Sequence, residues 1–531
     1  MPFLVVVAAI VPYLPALSYQ FLNWDDNTYV LSNPWIRGWS SENLIHIFTK
    51  PYFSNFLPLH LVSYAVDYTL WGLNPFGYHL QSILLHAINA LLVLVVVKRM
   101  LGNATVASLA ALLFAVHPSH VEAVAWISIR KDLLSTAFAL LTVYFYLRAT
   151  RVGGGASGGT HKFRWGPYAL AVVAFGLGLL SKVTIVTLPL FLLLLDRVHD
   201  EGTLRRSWRI DLASKIPFAL LGVGLVHLNS LAQAKARASY AHDALSYAMV
   251  KGHAMWNYWG LLLGALRGSP DYDVPALGGG ALTALVSIAG LLTLPAGAWI
   301  AYRMRSRTSI LGFGWILITL LPALVFPLVT YMADRYLYLP SIGFCWLLAA
   351  GIVALASRVP APRRRAAVLV GISLIPLAGF LARTTQALPV WRDSESLWTY
   401  ALTRCDDFRA YTNLADVRLG QRRWDEAERL LRISARVPNV TTYQNFGVLY
   451  FEQGRYPEAA VAIERALEIL RREGWDPAQA SVLYYSLGAV YSRLGQPGKT
   501  IEVLESALRE NPSNTAAREQ LDVARKAAAT P

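Results

Sequence analysis

The sequence predicts an all-α, polytopic membrane protein: a bundle of about eleven membrane-spanning helices followed by a short helical-repeat solenoid. Three observations lead there. Of 531 residues, 55% are hydrophobic and only 15% charged, whereas soluble domains carry about 25% charged residues. Apolar runs approaching the length of a membrane-crossing helix recur from the start of the chain to about residue 382. After Trp391 the composition becomes amphipathic and charged, and a helical-hairpin pattern repeats.

The apolar runs fall at 1–18, 79–97, 104–118, 132–148, 166–180, 183–197, 212–229, 281–302, 309–330, 337–357 and 366–382. The first lacks a basic start and is interrupted by Pro12 and Pro15, which fits a retained span better than a cleaved signal peptide. A chain this long exceeds one ordinary core. The expected division is a membrane domain over 1–390, a linker over 391–406 and a repeat domain over 407–531.

The formal charge of +15 invites a nucleic-acid reading, but its distribution argues against one. Basic residues gather between apolar runs, at Lys98-Arg99, Arg148 to Arg164, Arg205-Arg206-Arg209, Arg303-Arg305-Arg307 and Arg363-Arg364-Arg365. Cytoplasmic loops of membrane proteins are charged this way. With the N-terminus inside, all five clusters share one face if the short aromatic run His253–Leu266 does not span. That run is therefore expected to be a re-entrant or interfacial helix. The segments 19–78, 119–131, 230–280, 331–336 and everything after Arg383 then share the opposite face, and the repeats stand on the non-cytoplasmic side.

Gly153 to Gly159 reads as a flexible inner loop. It lacks the Lys-Ser/Thr ending and the preceding strand of a phosphate-binding loop. The two cysteines, Cys345 and Cys405, lie in unlike surroundings and suggest no disulfide.

Three units after Asp407 carry the tetratricopeptide pattern. The second places Tyr443, Phe446, Gly447, Tyr450, Gly454, Tyr456, Ala459 and Ala466 at the expected spacing, and the third Tyr484, Leu487, Gly488, Tyr491, Gly495, Ala507 and Pro512. The first is weaker, with Tyr411, Leu414, Ala415, Trp424, Ala427 and Leu431. Small residues at helix crossings and aromatics in the gaps are what stacked hairpins need. The longer step between the second and third units predicts an insertion near Arg471 to Gln479. Tyr443, Asn445, Tyr450, Tyr484 and Tyr491 are the expected protein-binding residues.

The chemistry-bearing residues lie in the outer segments. The first outer loop opens Asn23-Trp24-Asp25-Asp26-Asn27. Adjacent carboxylates at a membrane exit suit a general base, since burial and mutual repulsion raise a carboxyl pKa; a helix cap or a solvated turn would use the same residues. His60 follows in the same loop. His117, His120 and Glu122 could bind a metal, but Pro118 breaks the helix that would present them together and no third firm ligand follows. With Asp132 and Asp334, they read better as polar lining at the membrane surface. Lys182 and Arg335 are isolated cations on the non-basic face. They could snorkel or pair with Asp334, or bind an anionic lipid phosphate. No metal and no cofactor is expected.

Taken together, Asn23-Trp24-Asp25-Asp26, the run Pro58-Leu59 through Leu73-Asn74-Pro75-Phe76-Gly77-Tyr78-His79, His117-Pro118 to Asp132, and Asp334-Arg335 to Phe344, followed by repeats, resemble the TMTC family. These are transmembrane and tetratricopeptide-repeat protein O-mannosyltransferases of the GT-C glycosyltransferase superfamily. The resemblance spans nearly the whole chain. It implies an inverting enzyme that takes a sugar, mannose or another hexose, from a polyprenyl-phosphate donor. The acceptor is a Ser or Thr hydroxyl of a protein held by the repeats. The acidic residue that deprotonates the acceptor in that superfamily maps to Asp25 or Asp26, with Asp25, directly after Trp24, preferred. The donor phosphate would fall to Arg335, Lys182 and Arg130, Arg335 foremost because a guanidinium can hold two oxygens at once. The chain departs from the animal members in having three repeats instead of many, and in Val183, where many of them carry an acidic residue after the lysine. The rival is a non-catalytic membrane scaffold whose repeats recruit envelope proteins. A transporter is disfavoured, because the ionisable residues cluster in outer loops instead of at mid-bilayer.

Overall fold

Helix Pro75–Leu101 shows how the sequence builds its long helices. Asn74 caps the start by accepting from the Phe76 N–H, and Pro75 supplies a first residue that needs no hydrogen-bond partner. Lys98 and Arg99 complement the dipole in the last turn, and Gly102, at φ +69°, ends the helix in a left-handed conformation. The computed structural model describes residues 1–150, 163–198, 207–232, 243–274, 280–326 and 330–529. The Gly153–Gly159 loop, Arg205-Arg206 and most of the stretch from Arg148 to Arg164 lie outside the described residues. Among the described residues the structure is helical, with one isolated β-bridge between Tyr52 and Asn55. The chain divides into two units, Met1–Asp393 and Ser394–Pro531.

Among the described residues of the first unit, six helices are long and apolar enough to cross a membrane: Pro75–Leu101, Ile127–Thr150, Trp208–Ala232, Ala281–Arg303, Arg307–Val325 and Pro362–Trp391. Ala104–Ala115 and Pro118–Ala125 make a seventh if counted as one span, bent by 53°. The bend falls at Pro118, which cannot donate to the turn before it. Pro2–Ser18, Trp165–Ser181 and Ser341–Ser357 are apolar but shorter, and the predicted span 183–197 is a 3₁₀ turn, Val183–Thr187, running into helix Leu188–Arg197.

The run predicted to start at His253 is part of a longer helix, Ala244–Leu262. It is not among the helices apolar enough to span, and Lys251 is buried within it, donating to the carbonyls of Ala323 (2.8 Å) and Tyr331 (3.3 Å). It meets helix Ala281–Met304 at glycines. A Cβ on Gly290 would lie 1.9 Å from the Gly252 carbonyl oxygen, so only glycine permits this approach.

The second unit stacks three hairpins, Phe408–Gly420 with Trp424–Ser434, Val440–Glu452 with Tyr456–Glu473, and Pro477–Arg493 with Pro497–Glu510, followed by helix Thr515–Ala529. Helix Ser394–Leu402, within the stretch expected to be linker, precedes them. The insertion expected near Arg471 takes the form of longer helices: Tyr456–Glu473 has 18 residues against 11 and 14 in its counterparts. The core is small at the crossings, where a Cβ on Gly447 would come within 2.5 Å of Ile463 and one on Gly488 within 2.7 Å of Leu504.

Candidate active site

The two adjacent aspartates take different parts. Asp26 is wholly buried. Its Oδ2 accepts from the Leu22 N–H (3.0 Å), and its Oδ1 accepts from the Ser128 N–H (3.0 Å) and the Ser128 hydroxyl. Burial outweighs these bonds and pushes its carboxyl up to about 6. Asp26 thus ties the first outer loop to the segment entering helix Arg130–Thr150. Asp25 is partly exposed, and among the described residues none is seen to hydrogen-bond its carboxylate. Burial raises its pKa above the usual carboxylate range, while Lys131 and then Arg335 pull it back. The Asp25 carboxylate keeps lone pairs open toward an incoming hydroxyl, whereas those of Asp26 already hold three donors of the fold.

Around Asp25 stands a balanced set of charges. Glu122 accepts from both ends of Arg335: its Oε2 takes the backbone N–H (2.8 Å) and its Oε1 the guanidinium. Lys182 pairs with Asp132 at 2.5 Å. Lys131 lies over the Tyr29 ring at 5.0 Å, and Arg335 lies over Trp126 at 5.6 Å and Tyr336 at 5.1 Å. Lys182 is 5.5 Å from the same Tyr336 ring. Trp24, the neighbour of Asp25, stacks on Trp126 at 4.2 Å, and Trp126 on Trp391 at 5.6 Å. Three acids, Asp25, Glu122 and Asp132, thus face three cations, Lys131, Lys182 and Arg335. Each cation is partly exposed.

Several expectations are corrected. Arg130 is fully buried in an ion pair with Asp67, and it donates to the Tyr78 carbonyl at 2.7 Å. That guanidinium is spent on the fold, and the cation that reaches Asp25 is the next residue, Lys131. Arg335 pairs with Glu122, whereas Asp334 turns the other way and accepts from the Tyr272 hydroxyl. Burial and then the neighbouring Glu122 charge raise the Asp334 carboxyl. The histidines do not line the charged set. The Tyr64 hydroxyl donates to the Ile127 carbonyl (2.6 Å), so His60 must donate from Nε2 to Tyr64 (2.7 Å). His117 meets the Leu262 carbonyl at 2.9 Å and caps Ser119, while His120 meets Ser341 at 2.8 Å. All three are buried and bonded to separate partners, which is how a core satisfies polar groups.

The expected protein-binding residues are also corrected. Tyr491 and Asn445 are buried, donating to Glu464 (2.6 Å) and to the Thr412 carbonyl (3.4 Å). Tyr443, Tyr450 and Tyr484 are partly buried and packed against the repeat core. The consensus aromatics fill space between helices, and Tyr443, Tyr450 and Tyr484 keep only part of their surface open.

Sequence reasoning gave no role to Lys131, Tyr336 or Asp67. The one available signal was the Arg130-Lys131-Asp132 triplet entering a helix, where successive side chains must point about 100° apart and serve different neighbours.

The family model for dolichyl-phosphate-mannose-protein mannosyltransferase matches residues 58–227, and a tetratricopeptide-repeat model matches 439–509. Protein O-mannosyl-transferase Tmtc1 of Drosophila melanogaster is 26% identical over 532 residues, covering 80% of this chain and 60% of that protein. Human protein O-mannosyl-transferase TMTC4 is 27% identical over 409 residues, 66% of this chain and 53% of that protein. The chain is thus similar to the TMTC protein O-mannosyl-transferases over most of its length. The chain spans little more than half the length of these relatives. A crystal structure of ArnT from Cupriavidus metallidurans bound to undecaprenyl phosphate shares 17% identity over 95% of this chain and 79% of that one. Its TM-score is 0.39, too loose a likeness to carry an argument.

Proposed function

We propose that this chain is an integral membrane glycosyltransferase of the GT-C type. It moves a hexose, mannose by its relatives' names, from a polyprenyl-phosphate donor to Ser or Thr hydroxyls of a protein. Residues 1–390 are the catalytic unit, with eleven spans, and 407–531 the unit that holds the acceptor, both working on the non-cytoplasmic side. The observation that carries this reading is the partly exposed Asp25 carboxylate, open-handed and set beside Lys131 and Arg335.

The chemistry follows from that placement. A Ser or Thr hydroxyl is a poor nucleophile until a base takes its proton, and Asp25 is that base. The acceptor oxygen forms the new bond to the anomeric carbon as the bond to the phosphate oxygen breaks. The electron pair leaves on the lipid phosphate, where Arg335, Lys182 and Lys131 offset the charge that develops. One such displacement inverts the anomeric carbon. Asp26 holds the loop that presents Asp25, and no metal enters the step.

The test is transfer from a mannosylated polyprenyl phosphate to a Ser/Thr peptide by purified protein in lipid vesicles. Asp25→Asn should lower the rate by about 10²–10⁴-fold, the worth of a positioned base, with yield and melting temperature unchanged. Undiminished function in that variant favours the scaffold reading. Intact-mass comparison of envelope proteins with and without this chain identifies the acceptor, and a label on the last residue reports its side of the membrane.

A further inference from the structure

Away from the aspartates, a cavity of about 330 Å³ lies between helices Leu188–Arg197, Ala244–Leu262, Ala281–Met304 and Arg307–Val325. Its wall is almost wholly apolar, and it reaches from Thr293 to Tyr302 on one helix and from Ile310 to Ile318 on the next. At 1.5 Å per residue this is a slot roughly 12 Å long, parallel to both helices. The turn joining those helices lies between the wall residues Tyr302 and Ile310, at one end of the slot. It carries Arg303 and Arg305, both exposed, and Arg307. Beside it Tyr302 is 74% exposed and Trp299 63%, with the Arg303 guanidinium 5.8 Å from the Trp299 ring. An aromatic pair and a cluster of arginines at one end of an apolar slot match the parts of a lipid: headgroup level, phosphate and tail.

We propose that this slot binds one anionic phospholipid, with an acyl chain between helices Ala281–Met304 and Arg307–Val325 and its phosphate on Arg303 and Arg305. The polarity is fixed by the molecule itself. The tail must lie along the apolar wall, and the turn between Tyr302 and Ile310 supplies cations for the phosphate. None of these residues belongs to the charged set around Asp25, so the site stands apart from the transfer reaction and does not depend on it. A polyprenyl chain would fit the wall equally well, but it would leave the basic turn without a partner if its phosphate sat beside Arg335.

The experiment uses the full chain reconstituted in vesicles of equal phosphatidylcholine and phosphatidylglycerol, extracted, and analysed for retained lipid by native mass spectrometry. The expected result is retention of phosphatidylglycerol over phosphatidylcholine. Arg303→Gln with Arg305→Gln should reduce that preference at least tenfold. Ala298→Phe, a substitution at a wall residue midway along the slot, should abolish retention of either lipid while leaving the melting temperature in pure phosphatidylcholine unchanged. Equal retention of both lipids by the wild type overturns the proposal. So does full retention by Ala298→Phe, which would confine the lipid to the surface arginines. Displacement of phosphatidylglycerol by polyprenyl phosphate in the double glutamine variant would assign the slot to the donor chain, and also overturns it.

Discussion

The two units of this chain handle charge in opposite ways. In the first unit, ion pairs lie where water is scarce: Asp67 and Arg130 are both 0% exposed, and Glu122 with Arg335 2% and 11%. In the second unit most have a partner well exposed to water, and several are one helical turn apart, as in Arg472 with Glu468 at 67% and 41%. Solvent screens the second kind, and its members are nearly dispensable. The first kind is costly to assemble and costlier to halve, since removing one partner strands the other. A charge tolerated at such expense is there either to fasten the fold, as Arg130 does, or to meet a charged ligand, as we infer for Arg335.

The sharpest way to break that contrast is to halve one pair in each unit. Arg130→Met should cost about 3–5 kcal/mol, because Asp67 is left buried without its only cation. Loss of folded membrane protein in fluorescence-detected size exclusion would register it. Arg472→Ala should leave the melting temperature of the repeat unit unmoved. Equal outcomes for the two variants would erase the distinction.

Glycine extends the comparison. Gly447→Ala drives a methyl to within 2.5 Å of Ile463 at a repeat crossing, and overpacking of this kind costs about 1–3 kcal/mol. Gly371, inside helix Pro362–Ala387, has no neighbour within 4 Å. Gly371→Ala should be neutral or stabilise by about 0.5–1 kcal/mol. Thermal melts of the two variants check both signs.

These regions also differ in how legible they were. The repeats could be read hairpin by hairpin, because stacked helices demand small residues at fixed crossings and the register of Gly447 and Gly488 announces them. The apolar runs announced the membrane helices, though Ala244–Leu262 hid behind Lys251 and His253, whose polarity dilutes a helix the core nonetheless accepts. The site was readable only as a set of candidates. Asp25 and Asp26 are chemically identical, and what separates them is a partner 102 residues away, Ser128. The same long-range pairing sends Arg130 to Asp67 and leaves Lys131 for Asp25. A sequence displays the charges but not which of them are already spent.

Lys131 offers a finer test on the membrane side. Its positive charge favours the ionised form of Asp25 and so lowers a pKa that burial has raised. Removing that charge must therefore raise it further. In Lys131→Gln the acidic limb of a kcat/KM profile should move to higher pH, since the base is active only when deprotonated. A limb that stays in place or moves to lower pH would detach Lys131 from the base and leave it as a phosphate ligand alone.

The smallest effect is expected in the repeats, at the turn inside each hairpin. The three equivalent positions are Arg422, Gly454 and Gly495, with φ of +58°, +75° and +69°. Glycine enters this left-handed region freely, while a residue with a Cβ meets the following carbonyl at a cost of about 1–2 kcal/mol. The first hairpin therefore carries a strain that the other two lack, in keeping with its weaker match to the repeat pattern. Arg422→Gly relieves it but gives back part of the gain, because glycine adds conformational freedom to the unfolded chain, worth about 0.4–1 kcal/mol. The net expectation is a stabilisation of roughly 0.5 kcal/mol, visible as a small rise in the melting temperature. Gly454→Arg should reverse the sign in the second hairpin. A fall in stability with Arg422→Gly would mean that the arginine side chain contributes more at this turn than its backbone costs.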